Sequence, residues 1–267
     1  MTAIRVTHIG GPTTLLEVDG WRILTDPTFD APGRTYAFGW GSSSTKLVGP
    51  AVAVDALGPI DAVLVTHDHH ADNLDDAGRA LLPSAGTVVT TTSGAARLGG
   101  GARGLDPWAT TTLQATGKPS IVVTATPCRH GPPLSHPIVG DVIGFALDVE
   151  GGTRGTIWIS GDTVLYPGVR EVARRVEVDV ALVHMGAVRF KVTGPVRYTM
   201  TAREAVALCA EVRPRVTVPV HYEGWSHFSQ GRAELEAALA DAPADVQAQF
   251  CVVPIGEPTD LPEARVV

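Results

Sequence analysis

The chain has 267 residues, 44% of them hydrophobic and 18% charged, a globular composition with enough apolar material for one large α/β domain. Its net charge of −7 and the absence of a basic run argue against a nucleic-acid partner, and no apolar stretch approaches the ~18 residues that a membrane span needs. Three widely spaced cysteines, Cys128, Cys209 and Cys251, form neither a CxxC pair nor a disulfide framework. With no secretory core near the N-terminus, the expectation is a cytoplasmic protein that acts on a small-molecule substrate. Nothing in the sequence bears on oligomeric state.

In chain order, Thr14–Val18 and Trp21–Leu24 read as strands joined by Asp19-Gly20, a dipeptide that favours the positive φ angles of a two-residue hairpin. Residues 28–60 are rich in Gly, Pro, Ser and Thr. A loop that long is commonly functional, here as part of a pocket wall. Val63–Thr66 is an apolar strand that runs into His67. Leu74–Leu82 reads as a short helix stopped by Pro83, with Asn73 as its N-cap. Strands follow at Thr87–Thr91, Ser120–Thr126, Gly144–Val149, Thr156–Ser160, Val180–His184 and Val216–Val220. Thr201-Ala202-Arg203-Glu204 is a capping box opening a helix to about Val212. Gln230–Ala240 reads as a helix and Phe250–Pro254 as a closing strand. Strands with interspersed helices, and no repeat or linker, predict an α/β fold in a single domain over residues 1–267.

Residues 61–75, DAVLVTHDHHADNLD, pack imidazoles and carboxylates at a density whose common use is gripping a metal ion. Four apolar strands end in such a residue: one leads to His67 and His69, and the others to His130, Asp162 and His221. If the strands are neighbours in one sheet, their tips converge, and rigid strand ends preorganise a catalytic centre. Any one of these histidines alone is more often a buried hydrogen-bonding residue, and an aspartate in Ser-Gly-Asp-Thr more often a turn residue. The joint pattern carries the reading. His8, His136, His184 and His227 have no partner by spacing and are taken as structural, and Cys128 is taken as a packed hydrophobe.

The chain resembles the metallo-β-lactamase-fold hydrolases, and is most similar to their branch containing L-ascorbate-6-phosphate lactonase and N-acyl phosphatidylethanolamine phospholipase D. The matching pieces are Thr-His-Ile-Gly at 7–10, Leu-Thr-Asp-Pro at 24–27, Thr-His-Asp-His at 66–69 and Thr-Pro-Cys-Arg-His-Gly-Pro at 126–132. Ser-Gly-Asp-Thr at 160–163, Tyr-Thr-Met-Thr at 198–201 and Pro-Val-His-Tyr at 219–222 complete them in family order. The resemblance implies a four-layer αββα sandwich with a metal centre at one edge of its two sheets. It also implies one or two divalent ions, zinc or manganese. His67, His69 and His130 would hold the first, Asp162 would bridge to the second, and His221 would complete that second site.

The family pattern His-x-His-x-Asp-His meets His67-Asp68-His69-His70-Ala71-Asp72-Asn73 here. One inserted residue puts Asp72 at the aspartate and Asn73 at the last histidine; no insertion puts Ala71 at the aspartate. Either way a histidine is missing. An amide oxygen is a weak zinc ligand, so the second site is expected to be the weaker, with His70 as a substitute ligand. The chemistry expected is hydrolysis of an ester-type bond by metal-bound hydroxide, with Asp72 orienting the water or moving its proton and Asp162 beside it. Arg129, Arg189, Lys191 and Arg197 are candidate contacts for an anionic group, against the equal reading of solvated surface charge. The resemblance allows lactones, phosphodiesters and other esters; a lactone bearing an anionic group is the first expectation and a phosphodiester the second. A non-catalytic metal-binding protein stays open. A two-iron redox role is disfavoured, because such folds place a Glu where His69 stands.

Overall fold

A computed structural model describes residues 4–133, 135–152 and 155–262, with the backbone alone at 137–138. The strands in chain order begin with β1 (Arg5–Gly10), β2 (Thr13–Val18), β3 (Trp21–Thr25), β4 (Thr35–Gly39) and β5 (Ser42–Thr45). Next come β6 (Ala62–Leu64), β7 (Thr87–Thr91), β8 (Arg103–Leu105), β9 (Thr110–Leu113) and β10 (Ile121–Pro127). β11 (Ile143–Val149), β12 (Thr156–Ile159), β13 (Val178–His184), β14 (Val216–Val220) and β15 (Thr259–Asp260) complete the set. One sheet runs β15-β1-β2-β3-β6-β7-β8, a second runs β14-β13-β12-β11-β10-β9, and β4 pairs with β5 as a separate hairpin.

Side-chain alternation builds the layers. On β6, Ala62 and Leu64 face the second sheet while Val63 faces outward; on β13, Val180 and Leu182 face inward while Ala181 and Val183 face outward. The inward set joins Leu16, Ile23, Val123, Phe145 and Ile157 in a core between the sheets. Each of the larger side chains, Val, Leu, Ile and Phe, contributes about 1.5–3 kcal/mol on burial. The outward face of the first sheet packs on α1 (Asp76–Leu81). That of the second packs on α4 (Pro167–Arg170), α5 (Val172–Arg175), α6 (Ala202–Val212), α7 (Arg232–Ala240) and α8 (Ala244–Gln247). Two further helices, α2 (Thr92–Leu98) and α3 (His136–Val139), lie in chain order between α1 and α4. The four-layer αββα sandwich is therefore present.

Local chemistry accounts for the joints. Asp19 and Gly20 take φ of 44° and 83°, as a hairpin closing Val18 against Trp21 requires. The Thr201–Glu204 capping box opens α6. Three expectations are corrected. The helix after the His-rich stretch starts at Asp76, and its cap is Asp75, which accepts from the Gly78 amide at 2.8 Å. Asn73 lies a turn earlier, where its backbone folds back onto the His70 carbonyl, so it cannot cap. Phe250–Pro254 is no strand: Phe250 makes one isolated bridge to Thr217, and β15 is the strand that ends the first sheet. Finally, the strand tips carrying the candidate ligands belong to two sheets, since β6 lies in the first and β10, β12 and β14 in the second. The long 28–60 segment holds the β4–β5 hairpin. Among the described residues no helix is long and apolar enough to cross a membrane.

Candidate metal centre

His67 follows β6 at a tip that is pinned by Asp26, at the end of the neighbouring β3. Asp26 accepts from the Thr66 amide at 2.7 Å and from the Thr66 hydroxyl at 3.0 Å. Thr66 Oγ1 in turn lies 3.2 Å from His67 Nδ1. With Nδ1–H donating to that oxygen, Nε2 keeps its lone pair. His130 follows β10 and is fixed the same way, its Nδ1 lying 2.8 Å from the Tyr198 carbonyl.

The residue that meets these two is His70. Its Nδ1 is 3.2 Å from His67 Nε2, and the three ring centroids form a near-equilateral triangle of 5.1, 5.2 and 5.3 Å. All three are buried. Burial pushes each imidazole towards its neutral form, aided at His67 by His70 and at His70 by His130, and His70 falls to about 3. Neutral is the form that binds metal.

A second group lies beside it. One ligand atom each from Asp72, His221 and His227 falls within 4.8 Å of the others. Asp72 Oδ2 is 3.3 Å from His221 Nε2 and 3.0 Å from His227 Nε2, and Asp162 Oδ1 is 2.8 Å from His221 Nδ1. Asp162 follows β12 across Gly161, where any Cβ would lie 2.6 Å from the Ile143 carbonyl. It feels His221 most strongly, then His130 and His67, so it stands between the groups. Burial opposes ionisation of Asp72 and Asp162, but the facing imidazoles outweigh it and hold both well below the usual carboxylate range. Burial likewise opposes a charge on His221, yet Asp162 and Asp72 push it up to about 10.

These close approaches are not hydrogen bonds. Asp72 Oδ1, both Asp162 oxygens, both His221 nitrogens and His227 Nε2 are buried without a hydrogen-bond partner. Each such atom left alone costs about 1–3 kcal/mol. A divalent cation satisfies them together, and a position that draws a proton so strongly draws a cation for the same reason. The donor set of buried imidazoles and carboxylates therefore fits metal ions, with the His221 proton giving way as an ion takes its place.

The candidate ligands differ in where they go. His67, His70, His130, Asp72, Asp162 and His221 converge. His69 does not: Arg97 on α2 grips the buried Asp68 through bonds of 2.6 and 2.9 Å, and the exposed His69 ring lies on the Arg97 side, its Nδ1 3.5 Å from the guanidinium. The His69 ring then packs on Gly140, where a Cβ would lie 2.1 Å from it. The place beside His67 and His130 is taken by His70, so as a candidate ligand it puts the extra residue between the first two histidines of the motif. Asn73 donates weakly to Thr66 Oγ1 at 3.4 Å, and its own Oδ1 has no partner. His227, read as structural, sits in the second group; its only sequence signal is that it falls six residues after His221. His8 and His184 stay outside both groups, bonded to Gly11 O at 2.9 Å and facing Asp26 at 3.4 Å.

Of the candidate cations, Arg129 stacks on Tyr166 with its Nε unpartnered and lines a cavity of about 320 Å³ beside His130. Arg189 and Lys191 are exposed, and Arg189 adjoins the centre through its backbone N–H, which donates to the His227 carbonyl at 3.0 Å. Arg197 is occupied by both Glu204 oxygens at 2.6 and 3.1 Å. An aromatic roof covers the centre: Phe38 of β4 packs at a tilt against His70 and His227, and Phe228 meets His221 and His227 edge-on.

A Beta-lactamase superfamily domain model matches residues 21–222. A protein of Polynucleobacter asymbioticus described as a UPF0173 metal-dependent hydrolase is 30% identical over 209 residues, 69% of this chain and 65% of its own length. The chain thus spans just under two thirds of that relative. Among solved structures, an isothiocyanate hydrolase from Delia radicum gut bacteria superposes with TM-score 0.78 at 21% identity, covering 96% of this chain and 98% of that one. A possible metal-dependent hydrolase from Veillonella parvula gives TM-score 0.78 at 20% identity, covering 97% and 100%. At these identities the two structures establish the shared fold.

Proposed function

The chain belongs to the beta-lactamase superfamily, and from that membership we propose that it is a metal-dependent hydrolase cleaving an ester-type bond in a small molecule. The observation that carries this is the convergence, at the edge of both sheets, of two groups of buried imidazoles and carboxylates whose facing atoms lack hydrogen-bond partners. His67, His70 and His130 would hold one divalent ion, with Asp162 between it and a second held by Asp72 and His221. Three imidazoles suit zinc better than manganese, which prefers oxygen donors. When bound, such ions lower the pKa of water from ~15.7 towards ~7 and polarise the substrate oxygen.

The protein's own groups do the rest. Thr66 and the Tyr198 carbonyl fix the tautomers of His67 and His130. Asp72 Oδ2 is engaged with His221 and His227, which leaves Oδ1 as the atom to take a proton from the attacking water. Phe38 and Phe228 exclude bulk water and so strengthen every charge interaction beneath them. Arg129 offers its free Nε–H to an anionic group of the substrate. That supports an anionic substrate; within the ester chemistry of the family, a lactone carrying an anion is the first reading and a phosphodiester the second.

The test is a comparison of phosphorylated lactones with bis-p-nitrophenyl phosphate, using protein stripped by chelator and then reloaded with zinc or manganese. Metal-dependent lactone opening is expected. Tight metal retention with no turnover of any activated ester, lactone or phosphodiester would overturn the hydrolase reading in favour of a metal-binding protein.

A further inference from the structure

We propose that His227 is the third protein ligand of the second ion, replacing in space the histidine that the chain lacks at Asn73; this rests on the two-ion reading above. Its side chain is 1% exposed, and its Nε2 approaches Asp72 Oδ2 at 3.0 Å without a hydrogen bond. Its Nδ1 hydrogen-bonds Ser44 Oγ of β5. With Nδ1–H donating to Ser44, the Nε2 lone pair points at the atoms that Asp72 and His221 present, the usual outer-shell device for a metal-binding imidazole.

The chain builds this contact deliberately. β5 and the loop after β14 are zipped together: Ser226 N donates to Thr45 O at 3.0 Å, Thr45 N donates to Ser226 Oγ at 2.9 Å, and Lys46 bridges Trp225. Phe38 and Phe228 then pack against the ring, with centroids 5.5 and 4.6 Å away. Asn73, meanwhile, points its amide nitrogen at Thr66. The substitution at 73 thus coincides with an imidazole supplied from far along the chain to the same group.

The experiment is calorimetric titration of metal-free protein with zinc. Wild type takes up two equivalents. His227→Ala is expected to weaken the second equivalent by at least ~100-fold while leaving the first in place, and Ser44→Ala to weaken it ~10–100-fold, the range typical of outer-shell partners. Asn73→Ala keeps both equivalents. Adding Asn73→His to His227→Ala is expected to restore the second. Circular dichroism melting checks each fold, and His227→Gln replaces the alanine variant should that one not fold. The proposal is overturned if His227→Ala and His227→Gln bind two equivalents at wild-type affinity, or if Asn73→Ala loses an ion that the His227 variants keep. A wild-type protein that binds fewer than two ions would instead remove the two-ion reading beneath it.

Discussion

Asp75 fastens the roof of the site to the scaffold, and its removal has a calculable cost. Its carboxylate accepts from the amides of Gly78 at 2.8 Å, Phe29 at 2.9 Å and Asp30 at 2.7 Å, and from Lys46 Nζ at 2.9 Å. Asp75 is 1% exposed and Lys46 2%. Asp75→Ala leaves the ammonium buried without a counter-charge, worth about 3–5 kcal/mol, and orphaned amides add about 1 kcal/mol more. The sum is about 4–6 kcal/mol. An unfolding entropy of ~2.1 cal/mol/K per residue gives ~0.56 kcal/mol/K for 267 residues, so the melting temperature should drop by about 7–11 °C. Lys46→Met keeps all three amide bonds and should cost less, about 1–3 kcal/mol. Urea denaturation in chelator, at one pH, measures both. Asp75→Ala within 1 kcal/mol of wild type, or Lys46→Met the costlier of the two, would refute the reasoning.

Further outcomes follow from the site. His70→Ala should weaken the first ion ~100-fold or more, whereas His69→Ala, at a half-exposed position turned towards Arg97, should change it less than ~3-fold; equal effects in a zinc-competition assay would count against the assignment. The metal-free protein should be most stable near pH 6.5. Above that, His221 keeps a proton in the folded state that the unfolded chain releases, and stability falls as pH rises towards about 10. Below it, the unfolded chain protonates His67, His70 and His130 while the fold keeps them neutral, costing about 1.4 kcal/mol per pH unit for each group. In chelator, a stability that rises from pH 6.5 to pH 8 would contradict the His221 sign, and one that keeps climbing as pH falls from 6.5 to 5 would contradict the sign for His67, His70 and His130. Arg129→Ala should raise KM for anionic substrates and leave neutral ones alone. Arg197→Ala should instead cost at most about 1 kcal/mol of stability, since its pair with Glu204 is partly exposed; a reversal of these two effects, seen in kinetics and melting, would exchange their roles.

Much of this arrangement was legible in the sequence because it is set locally. Near-continuous apolar runs on β6 and β13 announce sheets buried on both faces, and Thr201-Ala202-Arg203-Glu204 announces its own helix. What escaped depends on distant contacts. Strand periodicity ends at Leu64, so it cannot decide between His69 and His70; that choice is made by Arg97, from another helix, which holds Asp68 and lies beside the His69 ring. Asn73 and Asp75 are equally good capping residues by type, and only the loop amides of Phe29 and Asp30 show which one is engaged at the helix start. His227 sits in a loop with no motif of its own and is delivered by its partnership with β5, 182 residues away from Ser44 to Ser226.

Anomalous diffraction at the zinc edge, from crystals grown with zinc, tests the central claim most directly. The account predicts one peak among His67, His70 and His130 and another among Asp72, His221 and His227. A peak bound by His69, or none at the three-histidine group, would contradict it.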